Sequence, residues 1–539
     1  MTSDHEAIHA LEQQRREKMH SAAALGHPVY GGRTDGLVPL CEARRLYDEA
    51  ADLDHRARGK EAGFEDKRPV VRVAGRVVLH RDNGKLVWMN LRDAGLDLQI
   101  AISQRDCDEA GFGLAKLTDL GDIVVAEGPL AKTKTGEITV WATSLRPGAK
   151  SLLPPPEKHA GLQDMELRYR QRYVDMWSNP ESTRVLLTRS RIMSRTRRFL
   201  DGRGFVEVET PMLQSLAGGA AAKPFVTHLN AMDIDVYLRV APELYLKRLI
   251  VGGIGKVYEV NRNFRNEGVD KQHNPEFTSL EVYEAFGDCM TMLELTESLI
   301  RELATMVRLM VEDERGDGGD EGALPDSVVM PFGDLEIDYA RAFDRITYAE
   351  LFERALGFSL RDHERVWADA EKRGLLGKIG AHLAREGRAP AQADLRGKVD
   401  DVFVVNELFE QVAEPTLDPA RPTFVLEYPS SLSPLTRPKA DDPTTAERWD
   451  LFIGGMEIGP GYTELNDPDI QAAKFREQLA GIDDEESTFR TYDEDFVNAL
   501  KVGMPPAGGM GVGMDRLVML LTNQRSIRDV IPFPFMRPV

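Results

Sequence analysis

The run VYEVNRNFRNEGVDKQHNPEFTSLEVYEAF, residues 257–286, decides the fold. Its two ends are rich in β-branched and aromatic residues, as strands are, and its polar middle reads as the loop that joins them. The loop carries Arg265, Glu267, His273 and Asn274, and Phe277 follows it. Upstream, a helical pattern over about 184–202 is closed by Gly204 and followed by the strand FVEVETPML at 205–213. Downstream, helices and strands alternate without the regular βαβ rhythm of a parallel sheet, so residues 181–539 are predicted to form one α+β domain. Its sheet is expected to be antiparallel and flanked by helices. The acidic, glycine-rich EDERGDGGDEG at 312–322 reads as a solvated loop.

Before residue 181 the texture changes. PPPEKHAGLQDMELRYRQRYVDM, from Pro154, is proline-rich and then strongly charged, the mark of a linker entering a helix, assigned to 154–180. Between 67 and 153 the period falls to two, in five short segments: VVRVAGRVVL, KLVWMNL, LDLQIAI, DIVVAEGPLAK and EITVWATSL. Five strands in so short a stretch predict an OB-type β-barrel. Side chains alternate along a strand, so Val71, Val73 and Val77, with Val87, Met89, Leu91, Leu98, Ile100 and Ile102, point inward. Arg72, Arg76, Trp88, Asn90 and Gln99 then point outward as one platform on which single-stranded bases could stack. The alternative is that Trp88 is covered by residues 1–66, which read as a solvated helical arm.

Composition bounds the rest. A length of 539 residues calls for several domains, and the 42% hydrophobic and 29% charged residues are those of globular proteins. No apolar run reaches the roughly 20 residues of a membrane helix, and the first thirty residues lack a signal-peptide core, so a cytoplasmic location is expected. Cys41, Cys107 and Cys289 are too few and too scattered for a disulfide framework or zinc knuckle. A net charge of −20 opposes nucleic acid at long range, so an RNA partner requires a local basic or aromatic surface such as the barrel platform.

Three stretches of the large domain resemble the signature motifs of class II aminoacyl-tRNA synthetases, and their surroundings resemble the lysine enzymes of subclass IIb across nearly the whole chain. The first is the helix with GFVEVETPML and Pro211, which in the family builds a homodimer interface. The second is the 257–286 run. The third is GGMGVGMDRLVMLLTNQRSIRDVIPFP, a glycine-rich strand entering an apolar helix that starts at Arg516, where small residues let ATP approach the backbone. The resemblance implies a lysine–tRNA ligase that uses lysine, ATP, Mg2+ and tRNA(Lys). Arg265 would hold charge gathering on the α-phosphate, since a planar guanidinium grips phosphate bidentately. Phe277 and Arg516 would take opposite faces of the adenine, and Glu267, His273 and Asn274 would contact the nucleotide.

For the amino acid, the resemblance gives Glu243 the α-ammonium, Glu281 and Glu464 with Tyr283 the side-chain ammonium, and Gly219 and Tyr462 places in the same pocket. Several carboxylates around one cavity repel one another unless a cation joins them, and a substrate with two ammonium groups meets that need. Asp450 and Glu457, in RWDLFIGGMEIG, would hold the metal: a two-residue turn at Gly454–Gly455 makes them diagonal neighbours on one face. As a bare acid pair they read rather as a solvated hairpin face, and it is the resemblance that assigns them to the metal. On the barrel, Arg76, Trp88, Gln99 and Glu137 would meet the anticodon. Two positions depart from the family pattern: Asp450 stands where glutamate is usual, and Pro460 where asparagine is common. The rival readings are an aspartyl or asparaginyl enzyme, which an acid-lined pocket disfavours, and a non-catalytic RNA-binding paralogue, which would have lost Arg265, Arg516 or the metal acids.

Overall fold

A computed structural model describes residues 2–28, 30–154, 162–216, 218–220, 222–315, 327–385, 395–396, 400–479 and 492–538. The chain divides into two compact units, one running to Leu187 and one spanning Thr188–Arg537.

In the first unit, β1 (Val70–Asp82), β2 (Leu86–Asp93), β3 (Leu96–Ser103), β5 (Ile138–Ala142) and β4 (Ile123–Lys132) pair in that order. The pairing of β4 with β1 closes the barrel. The fifth segment read from sequence is two strands, because the chain leaves β5 at Thr143 and continues as β6 (Ser144–Ala149), an extra strand on the outer side of β4. Alternation held: Val73, Val77, Val87, Met89, Leu91, Ile100 and Ile102 are all 0% exposed. The arm is not simply solvated. Ala22, Leu40 and Ala43 join the barrel core, and buried Arg15 donates to the carbonyls of Leu120 (3.1 Å) and Ser151 (2.8 Å).

In the second unit, the main sheet has eight strands. Its central six are antiparallel, in the order β16 (Thr423–Leu426), β17 (Arg448–Ile453), β18 (Met456–Thr463), β19 (Ala507–Gly513), β12 (Glu276–Ala285) and β11 (Lys256–Phe264). Each edge adds a parallel strand: β15 (Asp344–Thr347) beside β16, and β7 (Val206–Glu207) beside β11. The sheet is therefore mixed, where a purely antiparallel one was expected. Two small sheets accompany it: β8 (Leu213–Gln214), β9 (Val226–Leu229) and β10 (Ile234–Leu238), and the hairpin of β13 (Val329–Phe332) and β14 (Leu335–Asp338). The helix Cys289–Arg315 lays Met292, Leu299, Ile300, Leu303 and Val307 into the core, and reaches the first residues of the 312–322 stretch, whose remainder lies outside the described residues.

A buried carboxylate ties the three motif regions together. Asp515 begins the helix Met514–Leu521 and is 2% exposed; it accepts from the Thr278 amide of β12 at 2.8 Å and pairs with Arg189 of the helix Pro180–Asp201 at 2.5 Å. Arg189 also donates to Thr278 Oγ1 at 3.0 Å. Asp515→Asn would leave a buried guanidinium facing a neutral amide, and removing one member of such a pair costs about 3–5 kcal/mol. Chemical denaturation is expected to show the transition of this unit at clearly lower denaturant; an unchanged midpoint would mean the pair carries no stability.

Candidate active site

β18, β19, β12 and β11 form the floor of a cavity of about 370 Å³. Along β12 the residues Phe277, Ser279, Glu281 and Tyr283 all line it, as alternation on one face requires. At roughly 3.3 Å per residue, Phe277 and Glu281 stand about 13 Å apart along the strand. Pairing extends this polarity to β19, where Gly513 lies opposite Ser279, Gly511 opposite Glu281 and Gly509 opposite Tyr283. The cavity thus has a Phe277 end and a Tyr283 end.

Arg265, Glu267, His273 and Asn274 come from the loop between β11 and β12, and Arg516 from the start of the helix after β19; all line the cavity. The Arg265 guanidinium lies 5.1 Å from the Phe277 ring centroid, and its Nε is buried with no partner among the described residues. Arg516 donates to the Glu457 carbonyl at 2.6 Å and meets His273 Nε2 at 2.9 Å. Arginine only donates, so Nε2 accepts and the ring proton sits on Nδ1, which faces Asp270 at 2.9 Å. Asn274 donates to the Glu276 carbonyl at 2.7 Å and leaves its buried Oδ1 without a partner among the described residues.

At the other end stand Gly219, Glu243, Glu281, Tyr283 and Tyr462. Tyr283 OH points to Glu281 Oε2 at 3.4 Å, and Tyr462 is paired with Gly509. Burial first, then the neighbouring Glu243 and Glu259, push the Glu281 carboxyl up to about 8. The glycines of β19 divide their labour. A side chain at Gly509 would collide with the Glu464 carboxylate and the Tyr283 ring, whereas Gly511 and Gly513 line the cavity with nothing crowding them from above. Of the three, only the latter two leave room above the floor.

Two expected residues do not line the cavity, Glu464 and Asp450. Glu464 is 1% exposed and pairs with Lys247, a residue the sequence reading passed over. Asp450 is 4% exposed and held by both arms of Arg448, at 2.9 and 2.7 Å. The Gly454–Gly455 turn exists, with φ of +63° and +73°, but Ile458 is an extra residue on β18: Glu457 faces Phe452 and Pro460 faces Asp450. That bulge corrects the simple diagonal pairing, because one inserted residue displaces everything beyond it. Glu457 does line the cavity, and its carboxylate makes no hydrogen bond among the described residues. Glu414, pushed up to about 7 by burial and by Glu410, Glu457 and Asp450, belongs to the same acidic corner. Among the described residues no three acid, histidine or cysteine side chains converge as a ready metal cage.

On the barrel, Trp88 and Trp141 meet edge to face at 5.6 Å, with Ala101 of β3 between them in the ladder. Thr139 donates to Gln99 Oε1 at 2.9 Å, and Glu137 is exposed at the start of β5. Asn90 Oδ1 and Trp141 Nε1 are buried without partners among the described residues. The arm packs on the helix Glu109–Leu117 and on β1, β3 and β4, and Trp88 meets Trp141 as its aromatic neighbour. Arg76 faces outward but is engaged, donating to the Gly121 carbonyl at 2.7 Å and lying over Trp177 at 5.2 Å; Arg72 pairs with Glu127 at 2.6 Å.

An antiparallel-centred sheet with an arginine-bearing loop, a glycine strand running into an arginine-bearing helix, and a separate OB barrel define a class II aminoacyl-tRNA synthetase. The family model described as tRNA synthetases class II (D, K and N) matches residues 164–537, and that of the OB-fold nucleic acid binding domain matches 71–147. Curated lysine–tRNA ligases are similar over nearly full length: that of Pelotomaculum thermopropionicum is 44% identical over 99% of this chain and 96% of its own, and that of Cronobacter sakazakii 45% identical over 98% and 100%. The Escherichia coli K12 enzyme is 44% identical over 94% of this chain and 96% of its own. The chain belongs to the class II tRNA synthetases, in the family of the lysine–tRNA ligases.

The elevated Glu281 carboxyl has a consequence for stability. Its folded value near 8 lies above the ordinary 4.5, so the folded state binds that proton more tightly. This contribution is complete below the ordinary value and is lost as pH rises toward 8. Glu281→Gln is expected to flatten the fall in thermal midpoint of the ligand-free protein between pH 5 and pH 8; a profile parallel to the wild type would contradict the burial of this charge.

Proposed function

We propose that this chain activates lysine with ATP and transfers it to the 3′ end of tRNA(Lys). The observation that carries the reading is the polarity of one cavity, with guanidiniums and an aromatic face at its Phe277 end and carboxylates at its Tyr283 end. A triphosphate fits the first and a diammonium amino acid the second. Glu243 takes the α-ammonium, Glu281 with Tyr283 the side-chain ammonium, and the backbone at Gly219 lies beside the amino-acid carboxylate. That carboxylate oxygen attacks the α-phosphorus and pyrophosphate leaves; a terminal ribose hydroxyl of the tRNA then attacks the acyl carbon and AMP leaves. No side chain becomes covalently attached. Arg265 and Arg516 stabilise charge on the phosphates, which in a preorganised site contributes several kcal/mol.

Class II synthetases in general use ATP with a divalent metal. Here Mg2+ fits Glu457, which lines the cavity, while Asp450 joins only by releasing Arg448 or through water, which this ion retains readily. When bound, the ion neutralises phosphate charge. The chain acts as a homodimer: Val206, Met212, Leu213, Val226 and Ile234, in and after the first motif, are between 44% and 53% exposed, an apolar surface that a second copy would cover. The barrel platform of Trp88, Gln99 and Glu137 reads the anticodon, with Arg76 at its rim. The absence of a membrane-spanning helix among the described residues accords with a cytoplasmic location.

Pyrophosphate exchange into ATP, run with each amino acid, tests the reading: lysine is expected to stimulate it, and failure with lysine would overturn the function. Within that assay Glu281→Gln is expected to raise the lysine KM with little change for ATP, by the roughly 1.5–3 kcal/mol of a charge-assisted hydrogen bond. Equal losses for both substrates would remove Glu281 from the amino-acid end. Trp88→Ala is expected to impair tRNA charging and leave exchange intact; slower exchange without tRNA, or normal charging at low tRNA, would refute the platform.

A further inference from the structure

The loop between β11 and β12 turns back on itself at Asp270. The Asp270 amide donates to the His273 carbonyl at 3.2 Å, and Oδ1 accepts the amides of Gln272 at 2.7 Å and His273 at 2.9 Å, the turn that an aspartate side chain favours. A strap from outside, the Ile527 amide donating to the Lys271 carbonyl at 2.8 Å, holds the same turn beside the helix Ile527–Val530. The carboxylate has a second contact: both of its oxygens lie 2.9 Å from His273 Nδ1. Across the ring, Nε2 accepts from Arg516, whose other terminal nitrogen donates to the Glu457 carbonyl of β18. The Asp270 and His273 side chains are 61% and 54% exposed, so their contact adds little stability, and what it fixes is direction.

We propose that Asp270 is a positioning residue for the nucleotide, aiming Arg516 through the tautomer of His273. The inference rests on the ATP-using reading above and deepens it. An ionised carboxylate only accepts, so it keeps the proton of the neutral imidazole on Nδ1 and leaves Nε2 bare. A bare Nε2 can take a hydrogen bond from a guanidinium, whereas the other tautomer would set N–H against N–H. With the Glu457 carbonyl and His273 as its two anchors, the Arg516 guanidinium is fixed at the Phe277 end of the cavity before a triphosphate arrives. A side chain already ordered loses less freedom on binding, and that saving appears as affinity for the nucleotide.

Asp270→Asn separates the turn from the tautomer. The asparagine Oδ1 keeps the two backbone amides, its NH2 takes the place of Oδ2 and donates to Nδ1, and the ring proton moves to Nε2, against Arg516. The ATP KM in lysine-dependent pyrophosphate exchange is expected to rise about tenfold, the equivalent of one hydrogen bond to a charged group, with the lysine KM unchanged. In His273→Gln the amide oxygen can accept from Arg516 whatever stands at position 270, so adding Asp270→Asn to that variant should move the ATP KM by no more than about twofold. Magnetic resonance of isotope-labelled histidine nitrogens at alkaline pH, assigned by the signals that His273→Gln removes, is expected to show Nδ1 protonated in the wild type and bare in Asp270→Asn. Losses that multiply in the double mutant, an ATP KM in Asp270→Asn that is unchanged or rises together with that of lysine, or a bare Nδ1 in the wild type overturns the inference. The wild type separates the two failures: without lysine-dependent exchange the functional reading falls and the inference with it, whereas exchange accompanied by any of those three results refutes the inference alone.

Discussion

Asp515 is the joint on which the second unit depends. Its carboxylate is out of water, accepts a β12 amide and is neutralised by Arg189 from a helix more than three hundred residues earlier. Asp515 and Thr278 both line the cavity, and Arg516 is the next residue along, so the ion pair fixes the helix that aims Arg516 relative to the strand that carries Phe277 and Glu281. A buried ion pair is a poor source of net stability, because desolvation consumes most of the attraction. Its value lies in geometry: two charges that tolerate no other arrangement hold three separate stretches of chain in one register.

The same economy of charge runs through the rest of the site. Four buried acids in and around the site have an arginine or lysine against them: Asp515 with Arg189, Asp450 with Arg448, Glu259 with Arg239 and Glu464 with Lys247. Glu281 and Glu457, at the cavity wall, have no such partner among the described residues, and burial raises the Glu281 carboxyl. Unpaired carboxyls are therefore concentrated where a ligand can reach them. On this view a cationic substrate draws the proton from Glu281 and replaces it as the carboxylate's partner, so that binding is coupled to proton release.

Much of this was legible in the sequence, because it depends on local rules. Alternation told inward from outward residues on the barrel, and the loop and glycine strand placed twelve of the fourteen expected active-site residues on one cavity. What escaped was competition between groups distant in sequence. Nothing in the hairpin RWDLFIGGMEIG announces that Arg448 will take both oxygens of Asp450, since along a strand the two share a face whether or not a metal is present. Likewise the bulge at Ile458 depends on how β18 meets β17, a matter of register that alternation cannot resolve. Lys247 was within reach: Glu243 and Lys247 stand four apart on a helix, a spacing that favours an ion pair, and the burial of that face follows from its leucines and isoleucine.

The barrel resolves the conflict between a chain of net charge −20 and a polyanionic partner. Its outward arginines are already engaged, Arg72 by Glu127 and Arg76 by the Gly121 carbonyl and the Trp177 ring. Facing out with them are Trp88 and Trp141, joined through Ala101, and the amide of Gln99 held by Thr139. Stacking faces and amides read bases; they do not gather phosphates. Under the function proposed, this surface supplies selectivity, each stacked base contributing roughly 1–3 kcal/mol, and adds little to the salt-dependent part of affinity. An acidic chain can then bind RNA without a basic barrel, provided the phosphates are met elsewhere on the chain.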